Sequence, residues 1–448
     1  MPKISVVLTS YNHSKYLRDA IDSVLNQTFQ DFELIIWDDA STDDSWNIIT
    51  SYTDPRISPV RSESNSAGSA CFSLMNREST GDYIAIHHSD DVWEPNKLSE
   101  QFSFLSSNSD IAAVFTNVTP IGENGEVFTD KKHFYFSIFD QPNRTRHGWL
   151  NHFFYVGNCL CHPSVLMRRK TFEESGGYRY GLFQLGDLDL WVRLCLKYEI
   201  YVLPKRLTRF RIRENESNAS GDKATTRIRW QFETLRILEN YRKIDNIDEL
   251  LAVFPKAREY HSDKGFNIEF LLAMVAIHDG PWVFTKLFGL NLLYELLNKS
   301  DSANAIKAIY DFDSVKYMQI TGAHDIFSNE RLAQLEAELV ERNQALAERD
   351  GHLVSLNQAL AERDGKLASL KQALEERDGN LASLKQALED RDGELASLNQ
   401  GLVELNFRIT RLTSSRSWRL TRPLRVFDRL LRGEMKTAEM TMENKLLY

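Results

Sequence analysis

The sequence is poor in cysteine, and this shortage already excludes some classes of protein. The four cysteines are Cys71, Cys159, Cys161 and Cys195, which form neither a CxxC pair nor any other zinc-like spacing with histidine. Four unpaired thiols in 448 residues are typical of a reducing cytoplasm rather than of a secreted, disulfide-stapled domain. The N-terminus lacks a charged segment followed by an apolar core and a cleavage site, so we expect no signal peptide.

Long apolar runs and an excess of positive charge are also missing. The longest apolar run, Phe270–Ile277, has eight residues, whereas a membrane-spanning helix needs about 20. An integral membrane protein is therefore not expected. The formal net charge is −9, and a general nucleic-acid binder needs a dominant basic face, so nucleic acid is not an expected partner.

Short apolar runs alternate with helical patterns through residues 1–221. Ile4–Leu8 and Phe32–Trp37 have the composition of buried strands. Between them, the apolar residues of Tyr16–Leu25 recur at helical spacing. Tyr83–Ile86 repeats the strand signal further along the chain. This alternation predicts an α/β domain with a mostly parallel sheet that is covered on both faces.

The second half of the chain has three different patterns. Residues 222–328 are apolar with helical grouping and predict a helical subdomain, which either only packs or forms an acceptor or partner surface. Residues 329–412 repeat every 14 residues, with leucines at every seventh position from Leu332 to Leu402, which predicts a coiled-coil rod that forms a homo-oligomer. Residues 413–448 interleave arginines with apolar residues and predict contact with an anionic membrane surface; a solvated tail or a self-packing helix is the alternative.

Polar residues follow the first two predicted strands. Residues Thr9–Asn12 come after the first, and Asp38 and Asp39 come after the second. Ligands of open α/β sheets bind at the carboxyl ends of the strands. There, Asp39 could accept hydrogen bonds from an imide N–H and from hydroxyls, and Tyr11 offers an aromatic face; alternatively, the aspartates only cap the next helix. The chain has no GxGxxG or P-loop motif, so neither of those nucleotide folds is supported.

An acidic and histidine-rich motif, His87-His88-Ser89-Asp90-Asp91, follows a later strand. Paired carboxylates at such a position can hold a hard divalent cation that also takes diphosphate oxygens. A cation placed there neutralises charge on a leaving diphosphate. The two histidines are either further metal ligands or packing residues of the strand.

Two further groups of charged residues stand near the end of the α/β region. Asp187 and Asp189 precede an apolar helical segment. A carboxylate near a helix start and a metal stays ionised and can take a proton from a hydroxyl; helix capping is the alternative. Arg209, Arg211 and Arg213 alternate along a late strand, so they are expected on one face. They contact a diphosphate or an acceptor there, or they lie on a solvated edge.

In this order, the motifs resemble those of the family 2 glycosyltransferases, which are inverting enzymes with a GT-A fold. The motif segments are Ser5–Asn12, Ser23–Thr28, Asp38–Asp43, Ser89–Asp91 and Gly186–Trp191. The resemblance covers about residues 3–215, roughly half of the chain. It implies a Rossmann-like nucleotide-diphospho-sugar transferase domain, followed here by a helical subdomain and a long coiled coil.

The resemblance also implies roles for individual residues. Thr9, Tyr11 and Asp39 are expected to hold the base and ribose of a nucleotide-sugar, and Asp90 is expected at the same ligand. Arg211 is also expected at this ligand, on the ground of its place in the late strand rather than of the resemblance. Asp91 is expected on Mn²⁺ or Mg²⁺, and Asp187 is expected to be the general base.

Three positions depart from the family pattern. Ala40 stands where the family commonly has glycine. Ser89-Asp90-Asp91 lacks the first carboxylate of the metal motif, which leaves metal contact to Asp91. Gly186 replaces the glutamate that usually precedes the base, which leaves Asp187 as the one strong candidate.

The leading hypothesis is an inverting, metal-dependent glycosyltransferase of bacterial surface polysaccharide synthesis. It moves a sugar from a nucleotide-diphosphate sugar to a hydroxyl of a glycan or lipid-linked acceptor, in the cytoplasm and peripherally at the inner membrane. One alternative is a coiled-coil scaffold or length-setting protein of a polysaccharide assembly complex. Another is a nucleotidyltransferase, which releases diphosphate instead of a nucleoside diphosphate. The sequence does not identify the donor, the acceptor or the linkage.

Overall fold

The computed structural model describes residues 2–66, 78–214, 217–218, 220–221, 223–375 and 382–414. Chain contacts group Met1–Gly322 into one compact unit and Ala323–Tyr448 into a second. The predicted boundary between residues 221 and 222 therefore lies inside the first unit. Cys159, Cys161 and Cys195 are free and buried, and Cys71 lies outside the described residues.

A mixed eight-stranded sheet forms the α/β part of the first unit. Its strands are β1 Ile4–Ser10, β2 Phe32–Asp38, β3 Ile57–Arg61, β4 Tyr83–His88, β5 Val92–Trp93, β6 Ile111–Ile121, β7 Leu166–Arg168 and β8 Glu199–Arg211. They lie in the order β3-β2-β1-β4-β7-β6-β8-β5. β1 pairs in parallel with β2 and β4, whereas β7 is antiparallel to β4 and β6. The α/β prediction is confirmed, with a sheet that β7 and the antiparallel pair of β5 with β8 make mixed.

Helices cover this sheet and continue beyond it. Those of the sheet region are α1 Ser14–Leu25, α2 Ser45–Thr50, α3 Lys97–Ser107, α4 Arg146–Tyr155, α5 Arg169–Glu174 and α6 Gly186–Cys195. Those that follow are α7 Ala224–Leu238, α8 Ile247–Val253, α9 Ile268–His278, α10 Val283–Leu297, α11 Ser300–Tyr310 and α12 Ser314–Ala323. The predicted helical region after the sheet is thus confirmed.

The core explains why the central strands are almost wholly apolar. Val6 and Leu8 of β1 are fully buried and share one cluster with Leu17 and Ile21 of α1. A strand with helices packed on it has no solvent-facing side, so its polar residues collect at its ends. The carboxyl ends of β1, β2 and β4 consequently form one polar edge.

The helices after the sheet pack tightly against each other. Gly289 of α10 lies so close to α9 that an added Cβ would stand 2.7 Å from the carbonyl oxygen of Ala273, a contact that only glycine permits. Within the part of the chain that the structure describes, no helix is both long and apolar enough to cross a membrane.

The repeat region is helical in α13 Asn329–Glu375 and α14 Ala382–Ser414. Asn406 of α14 donates a hydrogen bond to Asp350 of α13, so the two helices lie side by side, whereas the heptad spacing predicts one continuous rod. Leu356 and Leu398, which occupy the second apolar position of their heptads three residues after Leu353 and Leu395, are exposed. The burial of this seam between chains therefore stays a prediction. Residues 415–448, most of the predicted membrane-binding tail, lie outside the described residues.

Candidate active site

Three strand ends meet at the polar edge of the sheet. The backbone N–H of Asp39 donates to the carbonyl of Ser10 at 2.9 Å, and that of Ser89 donates to the carbonyl of Thr9 at 3.2 Å. These two bonds join the end of β1 to the segments that follow β2 and β4. The side chain of Tyr11 is 44% exposed at this edge, so the face of its ring is accessible to a ligand.

The two aspartates after β2 have different surroundings. Asp38 is fully buried, accepts a hydrogen bond from the N–H of Ser41 at 3.2 Å and pairs with Arg61 at 3.2 Å. Capping of the next turn therefore describes Asp38 well. Asp39 accepts hydrogen bonds from both the N–H and the hydroxyl of Ser66, so it faces the segment after β3 instead.

His88, Asp90 and Asp91 form a cluster of metal-ligand type. One ligand atom from each lies within 4.8 Å of the others. Asp91 is 1% exposed; its Oδ1 accepts the N–H of Arg211 at 2.8 Å, while its buried Oδ2 has no hydrogen-bond partner among the described residues. Burial and the neighbouring Asp90 raise the pKa of Asp91 well above its ordinary value. An orphaned carboxylate oxygen beside a nitrogen donor and a second carboxylate fits a divalent cation.

A cation of the protein lies beside the cluster. The Arg213 guanidinium is 3.8 Å from Asp90 and 2.8 Å from Nε2 of His13, whose Nδ1 is 2.7 Å from the hydroxyl of Ser89. The Nε of Arg213 is buried and has no hydrogen-bond partner in the described part of the chain. Arg213 is thus a positively charged group beside the metal-type cluster, and its Nε–H donor is not used by any described residue.

Arg211 has another place. It is 2% exposed, and its guanidinium donates to the backbone carbonyls of Asp90, Gly122 and Glu123 at 2.7, 3.2 and 2.9 Å. These bonds hold the acidic loop from beneath. This placement does not favour the nucleotide-sugar contact predicted for Arg211, because its Nε and Nη1 donate to the main chain and its Nη2 lies 3.9 Å from the carboxylate of Asp19.

Asp187 and Asp189 open α6 but differ in their partners. Asp187 accepts the N–H of Leu188 at 2.7 Å and the side-chain amide of Asn158 at 2.6 Å. Burial, only partly offset by these bonds, raises the pKa of Asp187 to about 6. Asp189 is fully buried and pairs with Arg193 at 2.7 Å. Asp189 is therefore neutralised inside the fold, while Asp187 keeps the character of a base.

One short segment, residues 158–162, contacts both Asp187 and the acidic cluster. Asn158 holds Asp187, and Nδ1 of His162 lies 3.1 Å from Nε2 of His88. The other ring nitrogen of His162 is 2.5 Å from the hydroxyl of Tyr178. Burial lowers the pKa of both His88 and His162. Neutral His88, with Nε2 donating to His162, can present the lone pair of Nδ1 to a cation.

Some site residues are not apparent from the sequence. Asn158, His162 and Tyr178 lie outside every motif. Their spacing carries no signal, since the contacts depend on how β7 inserts beside β4. The alternation of Arg209, Arg211 and Arg213 indicated this region, but it does not distinguish Arg211, which donates to backbone carbonyls, from Arg213, whose guanidinium lies near the Asp90 carboxylate.

Comparison with known proteins decides the family. The family model described as Glycosyl transferase family 2 matches residues 5–175. The O-antigen biosynthesis glycosyltransferase WbnJ of Escherichia coli is 33% identical over 198 residues, which cover 71% of that protein and 43% of this chain. The chain belongs to glycosyltransferase family 2. An uncharacterised glycosyltransferase of Methanocaldococcus jannaschii is 29% identical over 49% of this chain and 74% of its own length.

Other matches of this family 2 glycosyltransferase include a relative named for teichuronic acid biosynthesis and several solved structures. A putative teichuronic acid biosynthesis glycosyltransferase of Bacillus subtilis is 36% identical over 126 residues, covering 28% of this chain and 50% of that protein. Among solved structures, residues 1–349 of Staphylococcus aureus TarS in complex with UDP match with 15% identity and a TM-score of 0.46, over 65% of this chain and 81% of that TarS chain. The family match ends at residue 175, ahead of Asp187.

Proposed function

We propose that this glycosyltransferase is an inverting, metal-dependent enzyme of bacterial surface polysaccharide synthesis. It transfers a sugar from a nucleotide-diphosphate sugar to a hydroxyl of a glycan or lipid-linked acceptor. The observation that carries the proposal is the link through residues 158–162. This segment touches on one side Asp187, whose pKa is raised to about 6, and on the other the metal-type cluster of His88.

The donor lies along the polar edge of the sheet. Thr9, Tyr11 and Asp39 hold the nucleoside. The exposed ring of Tyr11 and the acceptor oxygens of Asp39 support this assignment. His88, Asp90 and Asp91 hold Mn²⁺ or Mg²⁺. When bound, this cation neutralises the negative charge that develops on the leaving diphosphate. Arg213 adds a second positive charge beside Asp90, the role expected earlier of Arg211.

Asp187 activates the acceptor. The acceptor oxygen attacks the anomeric carbon from the face opposite the diphosphate, and the bond from that carbon to the diphosphate oxygen breaks with its electron pair leaving on the nucleoside diphosphate. Asp187 takes the hydroxyl proton. A pKa of about 6 keeps this carboxylate mostly ionised near neutral pH and still close to the pKa that suits proton transfer. Attack from the opposite face inverts the configuration of the sugar.

The test starts with a screen of nucleotide-sugars for Mn²⁺-dependent binding and turnover. With the donor so found, Asp187→Asn is expected to abolish transfer while UDP or donor binding stays unchanged. Asp301→Asn, which removes an exposed carboxylate in α11, is the matched control. Transfer retained by Asp187→Asn would remove Asp187 from the role of base.

The remaining parts of the proposal concern location and assembly. Residues 413–448 bind the anionic cytoplasmic face of the inner membrane, and residues 329–412 join copies of the chain into a homo-oligomer. The exposed heptad leucines of α13 and α14 support a partner for that seam. Flotation with anionic liposomes tests the tail: equal flotation of the whole chain and a chain that ends at Ser414 would contradict it.

A second candidate function, a length-setting scaffold, is favoured by the 14-residue repeat. Because a whole repeat keeps the heptad phase, a chain shortened by residues 351–364 should still assemble. A length-setting role predicts a shift in the length distribution of the glycan. An unchanged distribution would leave the repeats with a role in oligomerisation alone.

A further inference from the structure

Glu233 of α7 has an unusual set of partners. Its side chain is 1% exposed, and its carboxylate accepts the backbone N–H groups of Phe183, Gln184 and Leu185 at 2.9, 2.8 and 2.7 Å. Three successive amides of one loop thus converge on a single carboxylate, which comes from the helical region some 50 residues further along the chain.

This arrangement restrains the loop that leads into the candidate base. Leu185 is the N-cap residue of α6, and Asp187 stands in the first turn of that helix. Successive N–H groups that bind one carboxylate fix the path of the loop, and bonds to an ionised acceptor are roughly twice as strong as neutral ones. These donors also compensate the cost of burying the charge. The position of α7 therefore helps to set the orientation of the Asp187 side chain, through the bonds of Glu233 to the loop before α6.

We propose that Glu233 is a positioning residue for Asp187, so that the helical region holds the catalytic base from outside the α/β domain. This inference rests on the proposed function and deepens it. It gives the region 222–328, for which the sequence suggested packing or a partner surface, a defined part in catalysis.

The charge of Glu233 also acts on Asp187. It contributes to the raised pKa of Asp187. The other groups near Asp187 add little to this rise in its pKa. Asn158 is neutral, and burial raises the pKa of the Cys161 thiol so that it is uncharged. Asp189 of the same helix is paired with Arg193. Removing the charge of Glu233 is therefore expected to lower the pKa of Asp187.

The experiment compares Glu233→Gln, Glu233→Asp and the control Glu239→Gln in the whole chain. Glu239→Gln makes the same charge change in the segment directly after α7, at a residue that pairs with Arg242. The measurements are kcat/KM for transfer between pH 5 and 9 and the Kd of UDP with Mn²⁺. We expect Glu233→Gln to lower kcat/KM at least about 10-fold, to move the acid limb down by about half a pH unit and to leave the UDP Kd unchanged.

Glu233→Asp separates charge from position. It is expected to keep the acid limb of the native enzyme and to lose rate, because its shorter side chain keeps the charge but not all three bonds. A Glu233→Gln enzyme with the rate and pH profile of Glu239→Gln would overturn the inference. Weakened UDP binding by Glu233→Gln would also overturn it, since that result indicates general misfolding of the site.

A second measurement remains informative if the native chain transfers no sugar, which would overturn the proposed function itself. The unfolding free energies of the native chain, Asp187→Asn, Glu233→Gln and the double variant then form a cycle measured from pH 4 to 8. We expect the change in unfolding free energy that Asp187→Asn causes at pH 7 to be smaller in the Glu233→Gln background than in the native chain. Additive effects across the pH range would refute the coupling.

Discussion

The two halves of the candidate site are assembled in different ways. The acidic cluster of His88, Asp90 and Asp91 lies within four consecutive residues at the end of one strand, and local chain geometry brings its members together. Asp187 instead depends on Asn158, 29 residues away, and on Glu233, whose bond to Leu185 spans 48 residues. Half of the site is therefore encoded by a motif, and the other half is positioned by distant segments.

The largest expected effect separates the two halves by function. Asp91→Asn replaces the buried carboxylate whose Oδ2 has no hydrogen-bond partner among the described residues and lies 3.7 Å from Nδ1 of His88. It should lower both Mn²⁺ binding and sugar transfer. The expected loss of transfer is about 1,000-fold, because a cation at the diphosphate stabilises the transition state by several kcal/mol. Mn²⁺ titration followed by electron paramagnetic resonance and a transfer assay provide the two readouts.

Asp187→Asn is the matched counterpart of that variant. It should leave the Mn²⁺ titration unchanged while transfer is lost. If both variants affected Mn²⁺ binding equally, the division of the site into two halves would be wrong.

The next effect concerns stability and isolates the base. Since the folded-state pKa of Asp187 is raised to about 6, the folded protein holds this proton more tightly than the unfolded chain does. The stability from this group is then complete below about pH 4 and is lost as the pH rises to 6. Asp187→Asn, which never ionises, should gain about 1–3 kcal/mol of unfolding free energy over the native chain at pH 7.5.

Urea denaturation at pH 4 and at pH 7.5 measures this difference. The gain should disappear at pH 4, and Asp301→Asn should show no such dependence. A gain of equal size at both pH values would contradict a raised pKa of Asp187.

A smaller effect tests the nitrogen ligand of the cluster. An imidazole favours later transition metals over Mg²⁺, whereas a carboxylate suits Mg²⁺. His88→Asp should therefore shift the ratio of Mn²⁺ to Mg²⁺ affinity toward Mg²⁺ by about 10-fold. Competition titrations give the ratio, and loss of nitrogen coupling in the Mn²⁺ resonance spectrum checks the ligation directly. Nitrogen coupling that persists in His88→Asp would exclude His88 as the ligand.

The smallest effect lies in the turn after β2. Ala40 has a φ of 60°, a left-handed conformation that costs a residue with a Cβ about 1–2 kcal/mol. Ala40→Gly removes this strain but gives the unfolded chain more freedom. The net gain in unfolding free energy should be about 0.5–1 kcal/mol, measured by urea denaturation. A loss of stability would show that the methyl group of Ala40 contributes more by packing than its conformation costs.

Much of the fold and of the cluster could be predicted from local patterns. The apolar strands β1, β2 and β4 follow from composition, and the polar residues after them have nowhere else to lie than the edge of the sheet. Arg211 shows the limit of such reasoning. Alternation predicted its strand and its face, but only packing shows that its guanidinium is occupied by three carbonyl groups beneath the acidic loop.

The sequence by itself determined the family, the α/β domain, the helical region after it and the motif of the acidic cluster. Each depends on residues close together in the chain, whose periodicity and order are visible without coordinates. The tertiary structure decided that Asp189 pairs with Arg193, whereas Asp187 has no cationic partner in the described part of the chain. It also decided that the guanidinium of Arg213, rather than that of Arg211, lies beside the carboxylate of Asp90. It also decided that Glu233 holds the loop before Asp187. The physical reason is that burial and pairing depend on segments far apart in sequence, and these set both the pKa of a carboxylate and the direction in which it points.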